Sequence, residues 1–361
     1  MRILVVNAGS SSLKLRVLDG DDLVASADLP GSADAAAIRE SVPSLANRGF
    51  GVVDVAGHRI VHGGTVYRGP VRIDAEVRRR LGELTDLAPL HQPPALAALD
   101  AVSSIMPDVP AVACFDTAFH ATIPDAASTY ALPSEWRERW SVRKFGFHGL
   151  SHAYIARRVA SLTGRDDLRI VSCHLGAGAS LCAIANGRSV ETTMGFTPLD
   201  GLVMATRSGS VDPGLVLWLV TDAKMPAAEV SQSLEGRSGL AGLAGTSDMR
   251  EVLSRASSGD ADAVLARDVY LHRLRGLIGS MAAALGGLDV LVFTGGVGEN
   301  SEEIRRRAMD GLGFLGVHYS PADGNGDREI SPATAAVRAF VIEAREDLEI
   351  AREVNELVSP R

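Results

Sequence analysis

The chain has 361 residues, 46% of them hydrophobic and 22% charged, and 37 are glycine. At about 150 residues per domain this length implies two domains with cores that need no disulfide staples, which excludes a mini-protein and a mainly disordered chain. Lys+Arg 36 against Asp+Glu 44 leaves a net charge of -8, which excludes a surface attracting nucleic acid or anionic lipid as a whole while leaving room for a local anion site.

The chain opens with an apolar, β-rich run from Ile3 to Val6 that is too short for a signal peptide and has no cleavage-type end. It continues into Asn7-Ala-Gly9 and returns to Gly20, a strand, a glycine turn and a second strand. The tip, Asn7 to Lys14, carries an amide, three hydroxyls and an ammonium. It suits phosphate and Mg²⁺, or it is a polar hairpin tip; the P-loop spacing is absent. The same pattern returns at Ile170, which follows Ile3 by 170 − 3 = 167 positions, and at that offset Gly9 falls on Gly176 and Gly20 on Gly187. This hints at an internal duplication.

Next come Gly57 to Gly64, with His58, Arg59 and His62, and later Phe145 to Gly149, with His148. The flanking glycines break the i,i+4 histidine pairs His58/His62 and His148/His152 as helical zinc ligands, so both segments read as strand ends that point into a cleft. Arg59, between His58 and apolar Ile60, and Arg207, in a turn without periodicity, are either surface ion-pair residues or forks for a small anion. Asp116 follows an apolar run and is the best-placed lone carboxylate for Mg²⁺ or acid–base work. The arginine runs 78–80 and 305–307 read as solvated helix faces.

Helical spacing marks His152 to Leu162, Val264 to Leu285 and Glu346 to Leu357. A third strand-and-glycine unit runs from Val290 to Gly298, and Ser301 before two glutamates reads as a helix N-cap. Residues 320–327 read as a polar loop. Strands mixed with helices in this way indicate an α/β protein. Cys114, Cys173 and Cys182, odd in number and set among apolar residues, read as reduced thiols. The longest apolar stretch, Gly276 to Phe293, is cut by Gly286, Gly287 and Asp289, which leaves no expected membrane span and a cytoplasmic reading.

Together these motifs resemble the acetate kinases, within the acetate and sugar kinase/Hsp70/actin superfamily. The resemblance rests on Asn7 to Lys14, Gly57 to Gly64, Leu87 to His91, Phe115 to His120, Phe145 to Gly149, Met194 to Leu199, Thr206 to Gly209, Ser247 to Arg250, Phe293 to Asn300 and Glu346 to Ala351. It implies two duplicated RNase H-like, actin-like ATPase domains around a catalytic cleft. Residues 1–117 with 347–361 would form the first domain, and residues 118–346 the second, which carries the nucleotide site.

The family pattern further implies that Asn7 and Glu346 hold Mg²⁺ (or Mn²⁺) and that Ser10, Ser12 and Lys14 line a phosphate turn. Arg59 and Arg207 would grip the acetate carboxylate and then the phosphoryl group, Asp116 would position acetate and metal, and His148 would stabilise the group in flight. His174, Gly176 and Gly178 would form a second phosphate loop. Asp248, Met249, Arg250, Gly295, Gly296, Val297, Gly298 and Asn300 would receive the nucleotide, and Val61, Leu90, Phe147 and Pro198 would wall the methyl group. The implied reaction is reversible transfer from ATP to acetate, giving ADP and acetyl phosphate, in a homodimer with small-molecule partners and no nucleic-acid or membrane partner. Ala177, Ala205, Ser210 and Leu150 depart from the family's usual Asn, Gly, Asp and Thr. They keep in view a kinase preferring propionate or butyrate, and a nucleotide-switched, non-catalytic actin- or Hsp70-like protein.

Overall fold

The computed structural model describes residues 1–9, 12–30, 38, 40, 53–89 and 91–359. The chain divides into a first unit, Met1–Ala121 with Phe147–Tyr154 and Arg345–Arg361, and a second, Thr122–Gly146 with Ile155–Ala344.

In the first unit six strands, β1 (Arg2–Ala8), β2 (Ser12–Asp19), β3 (Asp22–Pro30), β4 (Val55–Ile60), β5 (Val71–Arg72) and β6 (Ala111–Phe115), form one sheet in the order β3-β2-β1-β4-β6-β5. The antiparallel β1–β2 pair is the hairpin expected at Ile3, and β4 and β6 add in parallel. Strands β1 and β4 are buried on both faces, as apolar runs flanked by helices should be. One face packs Ala56 and Ile60 towards the helix Gln92–Ile105, whose Ala98, Leu99 and Val102 are buried. The other packs Ile3, Val5, Val55 and Cys114 against Ile350, Ala351 and Val354 of the helix Glu346–Val358. Gly57 is what lets that helix lie so close, because a Cβ there would stand 2.7 Å from Ile350 Cγ2 and 2.8 Å from Val354 Cγ2.

The second unit repeats the plan with β7 (Arg169–Leu175), β8 (Ala179–Ala185), β9 (Arg188–Thr192), β10 (Val290–Thr294), β11 (Arg328–Glu329) and β12 (Arg338–Val341), ordered β11-β12-β10-β7-β8-β9. Read from the hairpin outwards, β9-β8-β7-β10-β12-β11 matches β3-β2-β1-β4-β6-β5 strand for strand, with parallel and antiparallel pairings alike. The offset of the two hairpins is therefore the trace of a duplicated sheet. The 24-residue helix Ala261–Ala284 buries Leu271, Leu274 and Ile278.

Some expectations are corrected. Phe145 to Gly149 is not a strand end but a loop running into the helix Gly149–Thr163. The Gly295 turn is a short helix, Gly295–Asn300, although Ser301 does cap the next one, Glu302–Asp310. In the run 305–307 only Arg306 is exposed; Arg305 is 4% exposed. His58 and His62 do not point into an open cleft: both are buried, and burial holds each imidazole down to about 4, in its neutral form. Among the described residues no helix is long and apolar enough to cross a membrane.

Candidate active site

Side chains alternate along a strand, and the register pairs Val5 with Gly57 and Arg59 with Cys114. Asn7, Arg59 and Asp116 therefore emerge on one face at the carboxyl ends of three neighbouring strands, β1, β4 and β6, where open α/β sheets bind ligands. Glu346 begins the helix that packs on this face.

The four side chains form one chain of contacts. Asp116 accepts from Arg59 Nη2 at 2.6 Å and from its Nε at 3.1 Å. Arg59 Nη1 donates to Asn7 Oδ1 at 3.1 Å, and Asn7 Nδ2 donates to Glu346 Oε2 at 2.7 Å. The Asp116 side chain is 1% exposed and that of Arg59 12%. Burial pushes the Asp116 carboxyl up, the Arg59 charge pulls it down and Glu346 pushes it up again. Burial alone would weaken the Arg59 charge, but Asp116 and Glu346 hold the guanidinium firmly protonated. A guanidinium carries five N–H donors. Among the described residues, Asp116 and Asn7 engage three of them, so the Nη1–Nη2 end keeps N–H groups for an anion.

His148 is placed beside this chain by backbone contacts. Gly149 N–H donates to the Asp116 carbonyl at 2.8 Å, and a Cβ on Gly149 would lie 2.1 Å from that oxygen. His148 itself has φ +57°, a left-handed conformation uncommon for a residue with a side chain. Phe147 is buried, its ring 5.6 Å from that of His62, and its carbonyl meets His120 Nε2 at 3.0 Å. Val61 is buried as well. Ser12 opens β2, and Lys14 is exposed opposite Asn7 in the β1–β2 register. Ser10 and Leu90 lie outside the described residues.

Asn7 links Arg59 to Glu346, its oxygen accepting from the guanidinium and its nitrogen donating to the carboxylate; the carboxylate and amide oxygens of this net-negative group are donors of the kind a hard cation takes. Among the described residues no three His, Cys, Asp or Glu side chains gather to cage a metal unaided.

The second unit contains a cavity of about 730 Å³ lined by Gly176, Ala177, Asp248, Met249, Arg250, Gly296, Val297 and Asn300, so these candidates converge. Asp248 caps the helix Met249–Ser257, and Arg250, lying over its carboxylate, holds it down to about 2. Gly295 and Gly298 do not line the cavity; they pack on the sheet, where a Cβ on Gly295 would lie 3.0 Å from the Leu175 backbone. At the loop tip Gly176 N–H turns inward to the Gly178 carbonyl at 3.0 Å, so that donor is already used within the loop. His174 is half-buried at the end of β7. The Ala177 carbonyl accepts from Ala205 N at 3.1 Å, which joins two of the departures noted above. Arg207 Nη1 donates to the Pro198 carbonyl at 3.2 Å, and burial lowers its pKa.

Sequence reasoning missed Leu240, Leu253 and Tyr270 on the cavity wall. Ordinary core residues at helical spacing carry no signal that one edge meets a cavity. It also missed Gly149, whose close approach to Asp116 depends on a tertiary contact.

A profile of the Acetokinase family matches residues 37–352. The acetate kinase of Trichormus variabilis is 49% identical over 313 residues, covering 85% of this chain and 77% of that protein. The crystal structure of Porphyromonas gingivalis acetate kinase matches with TM-score 0.90 and 33% identity over 99% of this chain and 100% of that one. A propionate kinase from Francisella tularensis subsp. tularensis matches with TM-score 0.90 and 33% identity over 98% of each. With its duplicated α/β sheets and these matches along most of its length, the chain belongs to the acetokinase family.

Proposed function

We propose that this enzyme transfers the γ-phosphoryl group of ATP to acetate, reversibly and with Mg²⁺ (or Mn²⁺), giving ADP and acetyl phosphate. The observation that carries this reading is the Glu346–Asn7–Arg59–Asp116 chain, buried at Asp116 and half-buried at the other three, which holds one guanidinium with N–H groups left for an anion. A carboxylate or phosphoryl group fits that edge in two-point fashion. A cation held by Glu346 and Asn7 would neutralise phosphate oxygens.

In the forward direction an acetate oxygen bonds to the γ-phosphorus as the bond to the bridging oxygen of ADP breaks. There is little covalent work for the protein, so positioning and charge do most of it. Arg59 orients the acceptor, Asp116 fixes Arg59, and His148 and Arg207 stabilise the equatorial oxygens. Ser10, Ser12, Lys14, His174, Gly176 and Gly178 serve the phosphates, and the cavity at Asp248 to Arg250 and Gly296 takes the nucleoside. Val61, Leu90, Phe147 and Pro198 limit the acyl chain, and the working domains are those expected as residues 1–117 with 347–361 and residues 118–346, with Phe147–Tyr154 and Glu346 falling in the first unit. The test is hydroxylamine trapping: ATP, Mg²⁺ and acetate should give acetyl hydroxamate, and no product with any short acyl acid would sink the reading. A higher rate with propionate than with acetate would move the substrate to the longer acid.

The reading extends to a cytoplasmic homodimer. The helix Pro213–Thr221 supports the dimer: it is apolar nearly all round yet buries none of its residues, and Leu217 and Trp218 are 64% and 54% exposed. A helix of that composition calls for a covering surface. Light scattering should give twice the chain mass, and a monomer at micromolar concentration would remove this part.

A further inference from the structure

The helix Gly295–Asn300 presents Gly296, Val297 and Asn300 to the second unit's cavity. Six residues are too few to hold a helix by its own hydrogen bonds. Its first amide, Gly295 N–H, donates to Glu299 Oε1 at 2.9 Å, and the same oxygen accepts from Ala344 N at 2.9 Å. Near its end the Gly298 and Glu299 carbonyls both accept from Arg305 Nη1 at 2.8 Å, and Arg328 Nη2 reaches the second at 3.4 Å. Arg305 is 4% exposed and its Nε is buried without a hydrogen-bond partner. Burying a guanidinium is costly unless its donors are used. Here Nη1 caps two carbonyls of the final turn of the short helix, where a positive charge also meets the negative end of the helix dipole. Arg305 does not itself line the cavity.

We propose that Arg305 is a positioning residue for nucleotide binding, fixing Gly296, Val297 and Asn300 as one wall of the cavity. The inference rests on the reading of that cavity as the nucleotide site. It separates the two substrates: losing Arg305 should weaken ATP and leave acetate alone, whereas general destabilisation would move both.

The test compares full-length wild type with Arg305→Met and Arg305→Lys, measuring Mg-ADP binding by calorimetry, KM for ATP and for acetate, and the melting temperature. Wild type should bind Mg-ADP. In Arg305→Met the Kd for ADP and the KM for ATP should rise about tenfold, the scale of one charge-assisted hydrogen bond, with acetate KM within about twofold. Arg305→Lys should recover part of the loss, since an ammonium can still cap one carbonyl. An unchanged ATP KM in Arg305→Met, or equal rises for both substrates, would overturn the proposal. Should the Met variant not fold, Arg305→Lys carries the test: a rise of about threefold for ATP alone supports the role, and no rise overturns it. Wild type that binds no Mg-ADP overturns the reading of the cavity, and the inference with it.

Discussion

Gly57→Ala joins core packing to the site in one substitution. The added methyl would stand 2.7 Å from Ile350 Cγ2 and 2.8 Å from Val354 Cγ2. Carbon contacts settle near 3.5 Å, so the neighbours must retreat by about 0.7 Å. Both are methyls on β-branched side chains, stiff at χ1 in a helix, so the relief has to come from the helix Glu346–Val358 as a body. That movement would stretch the 2.7 Å Asn7–Glu346 hydrogen bond to about 3.4 Å, beyond useful hydrogen-bond geometry. Overpacking of this kind costs about 1–3 kcal/mol. Urea unfolding should record that loss, and steady-state assays should show a several-fold higher Mg²⁺ requirement with ATP KM unaltered at saturating metal. Adding Val354→Ala removes one of the two clashes and should restore part of both. Gly57→Ala with stability within about 0.5 kcal/mol of wild type and an unchanged Mg²⁺ dependence would refute the reasoning, since the helix would then have slack.

Gly149→Ala should act on the chemistry more than on the nucleotide. Its Cβ would collide with the Asp116 carbonyl at 2.1 Å and displace His148, so kcat should fall about 100-fold while Mg-ADP binding by calorimetry stays within error. Arg59→Lys keeps the charge but loses the fork that holds Asp116 and an anion together; kcat/KM for acetate should drop at least about 100-fold with the fold retained by circular dichroism. His58 should make the enzyme acid-sensitive. Its folded-state pKa lies near 4 against an ordinary 6.5, so the folded state binds fewer protons and stability is lost as the pH falls below 6.5, until about 4. For this residue the loss at pH 5 relative to pH 7.5 comes to about 2 kcal/mol, and urea midpoints for His58→Leu should show it removed.

The fold was legible where a local pattern repeats. Two hairpins offset by a constant interval pointed to a duplication, and the sheets carry it through to the short edge strands β5 and β11, of two residues each, which have no pattern of their own. Asn7, Arg59 and Asp116 could each be singled out by type and company. Their convergence was not readable from spacing, because it depends on the parallel register of strands separated by some fifty residues. Arg305 was misread for a related reason. In a run of three arginines composition says solvated face, while the helix turns one of them inward onto carbonyls that only the fold brings there. His58 departs from the reading of its glycine-flanked segment as a strand end pointing into a cleft, because strand alternation sends it to the opposite, apolar face with Ala56 and Ile60.

The most direct measurement runs the reaction backwards, giving the purified enzyme acetyl phosphate and Mg-ADP and reading ATP by luciferase. Wild type is expected to form ATP, and Asp116→Asn, which removes the charge that fixes Arg59, to lose at least about 100-fold in rate. No ATP from acetyl phosphate or any other short acyl phosphate, or an Asp116→Asn enzyme as fast as wild type, would contradict the assignment.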